Sequence, residues 1–443
     1  MKIGYKGTTK SKRADVGTPA DSLNELVNEL KEKTKCSNNK NGIIDLFLQM
    51  ILGEKIDFYT FLITLGNCDN EELLIFIKAW RKCIKVLCTS QWKLLLNSAI
   101  VDLLIDRVHS FFTNHPLDTL ELLSCFCDIL ELEDIVRSDV GSFMFINFPF
   151  NVLSTISSDY YVQIKFDQEE MIAACIKMIG LFFISNDFIL DSDKIEQSFL
   201  LFCDGIKKNS PDFIVVLSLV GLNNFVLMFK LIAIKRLCSG NNYLNDLFNC
   251  LDSKNEIIQS KAIDVISNII KFTDDRFKLS FLQSEKFENL DLLSKSLSFQ
   301  KKIIKLMTDM ISIKGMLVDN IIRTKPFNQV INLLDNSPYE VKYYCLKLFC
   351  NFFNTHQSAL FINTHQEIIF IIVNFLNDIN FDDILYFCQS FHNFLYYVKL
   401  FDFNELKSII LSTDIIEVLN KTFEHEHENN DSYISLVIND LIV

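Results

Sequence analysis

The stretch KLFCNFF, residues 347–353, places one polar side chain in a run that is otherwise suited to a helix core. Leu348, Phe349, Phe352 and Phe353 offer apolar surface, whereas Asn351 offers an amide. Burying an amide without partners costs about 1–3 kcal/mol. Asn351 must therefore either face outward or be held by hydrogen bonds.

The polar position recurs along the chain at a fixed step. It is occupied in turn by Asn268, Asp309, Asn351 and Asn393, which are separated by 41, 42 and 42 residues. A leucine stands 17 residues before each of them, and these marker leucines are Leu251, Leu292, Leu334 and Leu376. Two markers in phase over four units predict a structural repeat of this length.

Polar breaks separate the marker leucine from the polar residue in three of the units, DSKNEI (252–257), DNSPYE (335–340) and NDINFDD (377–383). Such breaks are typical of one helix ending and the next beginning. Each unit is therefore predicted to contain a short helix, a second helix that ends near the leucine, and a longer third helix that carries the polar residue. A unit of this kind cannot bury its apolar face alone, so neighbours must stack into an all-α solenoid.

Composition agrees with this architecture. The 443 residues are 49% hydrophobic but contain only 12 Gly and 6 Pro, too few for the many turns of a sheet-based protein of this size. The sequence contains no glycine-rich phosphate loop and no nucleophile elbow. We therefore expect no enzyme activity and no cofactor.

The charge of the chain limits its partners. A net charge of −13 disfavours nucleic acid, because phosphate binding relies on clustered Lys and Arg. The thirteen cysteines show no repeated CxxC pattern and fall mostly on apolar helix faces, which is typical of reduced thiols in an intracellular compartment. With no visible signal peptide, the expected location is the cytoplasm, with the nucleus as an additional site.

One apolar run, residues 213–229, has about the minimum length of a membrane span. Asn223 and Asn224 interrupt it, so a buried helix is expected and a membrane span is not. The cluster FEHEHEN (423–429) has two histidines only two residues apart and no further ligands nearby, so His425 and His427 are expected to belong to a solvated tail and not to a metal site.

The sequence predicts three segments. Residues 1–17 form a basic, disordered arm with Lys2, Lys6, Lys10, Lys12 and Arg13. Residues 18–420 form the solenoid, with an irregular connection near 136–170, and residues 421–443 form an acidic and apolar C-terminal segment.

The repeat resembles the armadillo family. The stretch DNIIRTKPFNQVINLLDNSPYEVKYYCLKLFCNFF (319–353) looks like one complete armadillo unit, and the similarity is clear over 240–400 and fainter back to about residue 45. The resemblance implies a right-handed superhelix of three-helix repeats. In that family the equivalent asparagines line a concave groove and hold the backbone of an extended peptide.

Carried over by position, the resemblance implies a partner-binding groove on the third helices. The groove would contain the polar row and the residues four positions before its last three members: Asn268, Lys305, Asp309, Lys347, Asn351, Gln389 and Asn393. Asp309 departs from the asparagine pattern and would repel an acidic ligand. The alternative is that these side chains hydrogen-bond to a neighbouring turn and serve only the stacking.

The predicted function is therefore that of a non-enzymatic scaffold or adaptor that binds a protein or an extended peptide segment. A structural subunit of a large intracellular complex is the main alternative. A divergent import adaptor of the importin-alpha type is a remote one, because such adaptors carry a tryptophan four residues before the asparagine, where this chain has Asp264, Lys305, Lys347 and Gln389. The oligomeric state is not predicted.

Overall fold

A computed structural model describes residues 27–28, 42–52, 56–86, 98–111, 116–131, 143–157, 168–184, 190–239, 242–311, 317–424 and 432–442. The described residues are helical or lie in the short turns between helices, and no strand occurs among them. They divide into two compact units, Met1–Phe202 and Cys203–Val443. The prediction of an all-α solenoid is confirmed, while the division at residue 202 was not predicted.

The first unit stacks its helices in two layers. One layer is formed by α3, α5 and α7, and the other by α2, α4 and α6. Arg81 of α3 joins the first two helices of its layer through Asp128 at 2.5 Å and Glu121 at 3.1 Å. In chain order its helices are α1 Ile43–Ile51, α2 Phe58–Asn67, α3 Asn70–Val86, α4 Ser98–Phe111, α5 Pro116–Leu130, α6 Phe143–Ile156, α7 Gln168–Phe182 and α8 Ser192–Gly205, within which the division falls.

The second unit opens with a long helix and continues as five groups of three helices. The opening helix is α9 Asp212–Phe229. The groups are α10 Leu231–Cys238, α11 Tyr243–Asn249 with a 3₁₀ turn Cys250–Asp252, and α12 Glu256–Phe272; α13 Asp275–Leu282, α14 Glu285–Glu288 and α15 Leu297–Ile311; α16 Val318–Ile321, α17 Lys325–Asn336 and α18 Tyr339–Phe353; α19 His356–Thr364, α20 Glu367–Leu376 and α21 Phe381–Leu400; α22 Asn404–Leu411, α23 Ile415–Glu424 and α24 Ser432–Ile442.

The third helices of these groups form one continuous layer. In it α9, α12, α15, α18, α21 and α24 each pack against the next. Leu334 and Leu376 lie near the ends of α17 and α20, Leu251 lies in the 3₁₀ turn after α11, and Leu292 lies in the loop four residues after α14. All four marker leucines are at most 2% exposed. Their fixed sequence step therefore reflects a burial position that is repeated in each group.

Helix starts agree with the predicted polar breaks. The side chain of Asn255 accepts a hydrogen bond from the Ile257 N–H at the start of α12, and Asn380 accepts one from the Asp383 N–H at the start of α21. Pro211 and Pro338 occupy the N-cap positions of α9 and α18, where a missing N–H costs no helical hydrogen bond.

Phenylalanine rings connect consecutive third helices in the core. The ring of Phe353 in α18 lies 4.8 Å from that of Phe394 and 5.6 Å from that of Phe391, both in α21. All three side chains are at most 1% exposed. Contacts of this kind explain how so phenylalanine-rich a chain fills the space between stacked helices.

Helices occur within two of the predicted segments. Residues 143–156 of the expected irregular connection form α6, which contains Pro149 and packs against α7. The predicted end of the solenoid at residue 420 falls inside α23, and α24 packs against α21 with Ile434, Val437 and Leu441 buried. These three apolar residues lie on one face of α24, so the packing of third helices continues past the polar segment at 423–429.

Helix α9 is long and apolar enough to cross a membrane by length and composition, and 44% of its residues are buried among other helices. The pair α19 and α20 passes the same test only if it is counted as one span, and it is bent by 106° at the break. Helix α9 occupies the same layer as the third helices and packs along α12. Its apolar character is therefore used, at least in part, by the solenoid core.

Candidate functional site

The seven predicted groove residues lie on four consecutive third helices. Asn268 is on α12, Lys305 and Asp309 are on α15, and the remaining four are on α18 and α21. Because each of these helices packs against the next, the predicted row follows one layer of the second unit.

Three of the seven residues come together in a single groove. Asn268, Lys305 and Asp309 line a groove of about 430 Å³, together with Asn223, Asp264, Ser267, Lys271, Ser298, Lys301, Lys302 and Tyr344. We call this the α12–α15 groove. Every side chain that lines it is polar, so it is suited to a ligand that carries charge or exposed backbone groups.

The other predicted residues lie outside that groove. Asn393 lines a second groove of about 530 Å³ near the ends of α21 and α24, where His392 Nδ1 lies 2.6 Å from Asp440 Oδ2. Lys347 is half-buried, and its Nζ lies 4.3 Å from the ring centroid of Tyr343. Gln389 is exposed on α21.

The asparagines of the row join neighbouring third helices. Asn268 Nδ2 donates to Asn223 Oδ1 in α9 at 2.8 Å. Asn351 Oδ1 accepts from the Tyr386 hydroxyl in α21 at 2.7 Å. Asn393 Nδ2 donates to Oδ1 of Asn354, the C-cap residue of α18, at 2.8 Å. These bonds are those expected of the stacking alternative, although the side chains remain partly accessible.

Asp309 is the acidic member of the row, and its environment is unfavourable to a charge. Burial raises the pKa of its carboxyl group above the ordinary value, while the positive charges of Lys305 and Lys271 act in the opposite direction. Asp309 therefore carries its negative charge at an energetic cost inside a groove that contains four lysines.

Ion pairs position two of these lysines. Lys302 Nζ lies 2.6 Å from Asp264 Oδ2 in the preceding third helix. Lys301 Nζ lies 2.6 Å from Glu340 Oε2 in the following one. The two adjacent lysines of α15 thus reach in opposite directions along the layer and connect three helices.

Sequence reasoning missed the residues that support the row. Gln259 Nε2 donates to the carbonyl of Leu251 at 2.7 Å, and Gln300 Nε2 donates to that of Leu292 at 2.9 Å. Both glutamines are at most 5% exposed and stand eight residues after a marker leucine. The constant spacing of eight residues from the marker leucine was the sequence feature that could have identified these glutamines. Lys302, Tyr344 and Tyr386 occupy equivalent positions in successive repeats. Lys302 and Tyr386 each form a hydrogen bond to a side chain of the preceding third helix.

Of the two tryptophans, the structure describes Trp80. Trp80 is fully buried in the first unit, with its ring 6.3 Å from those of Phe76 and Phe126. Trp92 and the histidines His425 and His427 lie outside the described residues, as do residues 1–17. Among the residues that the structure describes, no group of His, Cys, Asp and Glu side chains could hold a metal ion.

Comparison with known proteins adds information on the fold. No family model matches the chain, and no curated protein matches it in sequence. An engineered protein solved by crystallography superposes with a TM-score of 0.60 at 13% identity, covering 95% of this chain and 99% of that one. At this identity the similarity is one of fold alone.

Two crystal structures of Kap121p are also similar to the chain. One structure of Kap121p gives a TM-score of 0.43 at 14% identity over 90% of this chain, and Kap121p bound to Pho4p gives 0.43 at 14% identity over 97%. The chain spans about half the length of Kap121p, 48% and 53% in the two superpositions.

Proposed function

We propose that this chain is a non-enzymatic interaction scaffold of the armadillo type, which binds an extended segment of a partner protein along the third helices α12, α15, α18 and α21. The observation that carries the proposal is the all-polar α12–α15 groove, which opens on a layer of stacked helices. An extended segment exposes backbone N–H and C=O groups, and amide and ammonium side chains can pair with them.

The dimensions suit a short segment. Packed helices lie about 8–10 Å apart, so four of them span about 24–30 Å. An extended chain covers about 3.3–3.6 Å per residue, and about eight residues would reach from α12 to α21. Such a segment can contact one side chain of the row on every helix.

The proposal contains no reaction. The thiols of Cys125 and Cys175 are fully buried, and burial raises their pKa well above the ordinary value, so they are unsuited to act as nucleophiles. Buried thiols are also consistent with the cytoplasm or the nucleus as the location that we propose.

Charge reversal in the row tests the proposal. We expect the variant Lys305→Glu/Lys347→Glu to lose partners that the wild-type chain captures from its native cell. The matched control is Lys235→Glu/Lys325→Glu, which reverses two exposed lysines on α10 and α17, outside the third helices. An identical set of partners for all three proteins would overturn the proposal.

A second candidate function is that of an obligate subunit of a larger complex. The observation that favours it is the exposure of large apolar side chains at the end of the second unit: Tyr396 is 62%, Leu400 60% and Ile442 68% exposed. Light scattering distinguishes the two functions. A stable monomer with an accessible groove supports the scaffold, whereas self-association or aggregation in the absence of a co-purified subunit supports the alternative.

A further inference from the structure

The α12–α15 groove has a local charge opposite to that of the chain as a whole. Four lysines line it, Lys271, Lys301, Lys302 and Lys305, against two carboxylates, Asp264 and Asp309. The complete chain has a net charge of −13. A concentration of positive charge in an acidic protein attracts anions to one place on its surface.

The two carboxylates neutralise this charge incompletely. Asp264 is engaged by Lys302 at 2.6 Å. The Asp309 carboxyl is half-buried and carries its charge at a cost. Lys305 is exposed on the same helix as Asp309, one turn before it, and remains accessible to a ligand.

The ion pair between Lys301 and Glu340 can be replaced by one between Lys301 and a ligand. Lys301 is held by Glu340, whose side chain is 72% exposed. Exposed ion pairs contribute little net stability because water and salt screen them. A carboxylate supplied by a partner can therefore replace Glu340 at Lys301 with little loss to the fold.

Neutral donors complete the groove. Ser267 and Ser298 offer hydroxyl groups and Asn223 offers an amide, while Tyr344 forms part of the wall. Carboxylates and phosphates accept hydrogen bonds from such groups in addition to ion pairing with lysine. A basic segment would instead meet four ammonium groups against two carboxylates, and would be repelled on balance.

From this charge and donor pattern we infer, as an extension of the proposed function, that the α12–α15 groove selects an acidic partner segment whose anionic side chains pair with Lys271, Lys301 and Lys305. The anions are Asp and Glu carboxylates or phosphorylated side chains, which share the chemistry that lysine recognises. The negative charge of Asp309 then repels the acidic segment and limits its affinity for the groove.

The test uses the full chain and synthetic twelve-residue peptides labelled with fluorescein, followed by fluorescence anisotropy at two salt concentrations. One peptide alternates Asp and Glu with Gly, a second replaces the acids by phosphoserine, a third by Lys, and a fourth by Ser. We expect binding of one or both acidic peptides that weakens as salt is added, and weaker or no binding of the other two. The tighter of the first two identifies the source of the anion.

Three variants link the binding to the groove. We expect Lys271→Gln/Lys305→Gln to weaken acidic-peptide binding by about five- to tenfold and Asp309→Asn to strengthen it by about two- to fivefold, since each changes one or two charges beside the ligand. Lys235→Gln/Lys325→Gln is the control and should have no effect. Circular dichroism confirms that all variants remain folded.

The outcomes separate this inference from the proposed function. Equal or tighter binding of the Lys or Ser peptide, with an affinity that changes in Lys305→Glu/Lys347→Glu, would overturn the acidic selectivity and support the scaffold. Acidic-peptide binding that is unaffected by Lys271→Gln/Lys305→Gln would overturn the inference. The last probe is a single-stranded oligothymidine of equal charge. If it binds as tightly as the acidic peptides and depends on the same lysines, the groove is assigned to nucleic acid and the inference is overturned.

Discussion

The hydroxyl group of Tyr386 donates a hydrogen bond to Oδ1 of Asn351 at 2.7 Å and so joins the third helices of two successive repeats. The bond explains how an asparagine is accommodated beside Phe352 and Phe353, both of which are fully buried. The amide oxygen of Asn351 is hydrogen-bonded to the neighbouring helix, while the phenylalanine side chains beside it fill the core.

Removing either partner of this bond should destabilise the second unit. A hydrogen bond contributes about 0.5–1.5 kcal/mol net, so we expect Tyr386→Phe and Asn351→Ala each to lower the free energy of unfolding by about that amount. Urea denaturation of both single variants and the double variant measures the coupling. Additive losses would show that the two side chains act independently, and Tyr396→Phe, at an exposed tyrosine, is the control.

The same pair separates peptide binding from stacking. If Asn351 contacts a partner, Tyr386→Phe should leave its amide available and preserve binding, whereas Asn351→Ala should weaken binding about five- to tenfold, the equivalent of one hydrogen bond. Isothermal calorimetry with a captured partner compares the two variants. Equal affinities would indicate that Asn351 serves only the stacking.

The buried glutamines should be important for stability. Gln259→Ala removes the donor that pairs with the Leu251 carbonyl and leaves that acceptor unsatisfied. We expect a loss of about 1–3 kcal/mol in the free energy of unfolding. The loss for Gln300→Ala should be smaller, because the Leu292 carbonyl also accepts from the Lys295 N–H at 3.1 Å. Gln283→Ala, at an exposed position, should change it by less than about 0.5 kcal/mol. Comparable losses for all three would contradict this account.

Gly205 is predicted to be intolerant of a side chain. A Cβ atom there would lie 2.9 Å from Cβ of Ser218 and closer still to its Oγ, at the contact between α8 and α9. We expect Gly205→Ala to destabilise the protein by about 1–3 kcal/mol through overpacking.

Gly66→Ala is a matched control for the same substitution. Its Cβ would meet only Leu103 Cδ1 at 3.8 Å, an ordinary contact, in a helix where alanine is preferred to glycine. We expect an unchanged or slightly raised melting temperature for Gly66→Ala and a lowered one for Gly205→Ala. The opposite order would refute the packing argument.

Asp309 should affect the pH dependence of stability. Burial raises the pKa of its carboxyl in the folded state, so the folded protein binds this proton more tightly than the unfolded chain does. The contribution of Asp309 to stability therefore falls as pH rises from the ordinary value of 3.8 through the raised pKa, and is lowest at neutral pH.

Asp309→Asn should accordingly stabilise the protein most at neutral pH, by less than about 1 kcal/mol because the side chain is half-exposed. The gain should shrink as the pH is lowered toward 4. Urea denaturation from pH 7.5 downward measures the difference between variant and wild type. Asp264→Asn is the contrasting variant, since it loses an ion pair with Lys302 and should not stabilise the protein.

Phe353 should be among the costliest residues to truncate. Its ring packs against Phe391 and Phe394 in the next third helix, and all three are buried. Phe353→Ala is expected to cost about 3–5 kcal/mol. Phe370→Ala, at a side chain that is 43% exposed, should cost far less. Denaturant midpoints with unchanged slopes verify this, and similar costs at both sites would contradict it.

The amino-acid sequence by itself determined the repeat and its helices. The step between Leu251 and Leu292, or between Asn351 and Asn393, is the length of one three-helix repeat, and both leucines are buried as a repeated apolar marker requires. The lysines near the polar row were equally visible, because a residue four positions earlier lies on the same helix face.

Only the tertiary structure decided which side chains meet. The placement of neighbouring helices and the rotamers of long side chains bring Tyr386 to Asn351 and Lys302 to Asp264. They also bring Asn268, Lys305 and Asp309 into one groove. The two bonded pairs join residues 35 and 38 positions apart. Local periodicity sets the face on which a residue lies, but the packing of one repeat on the next selects its partner.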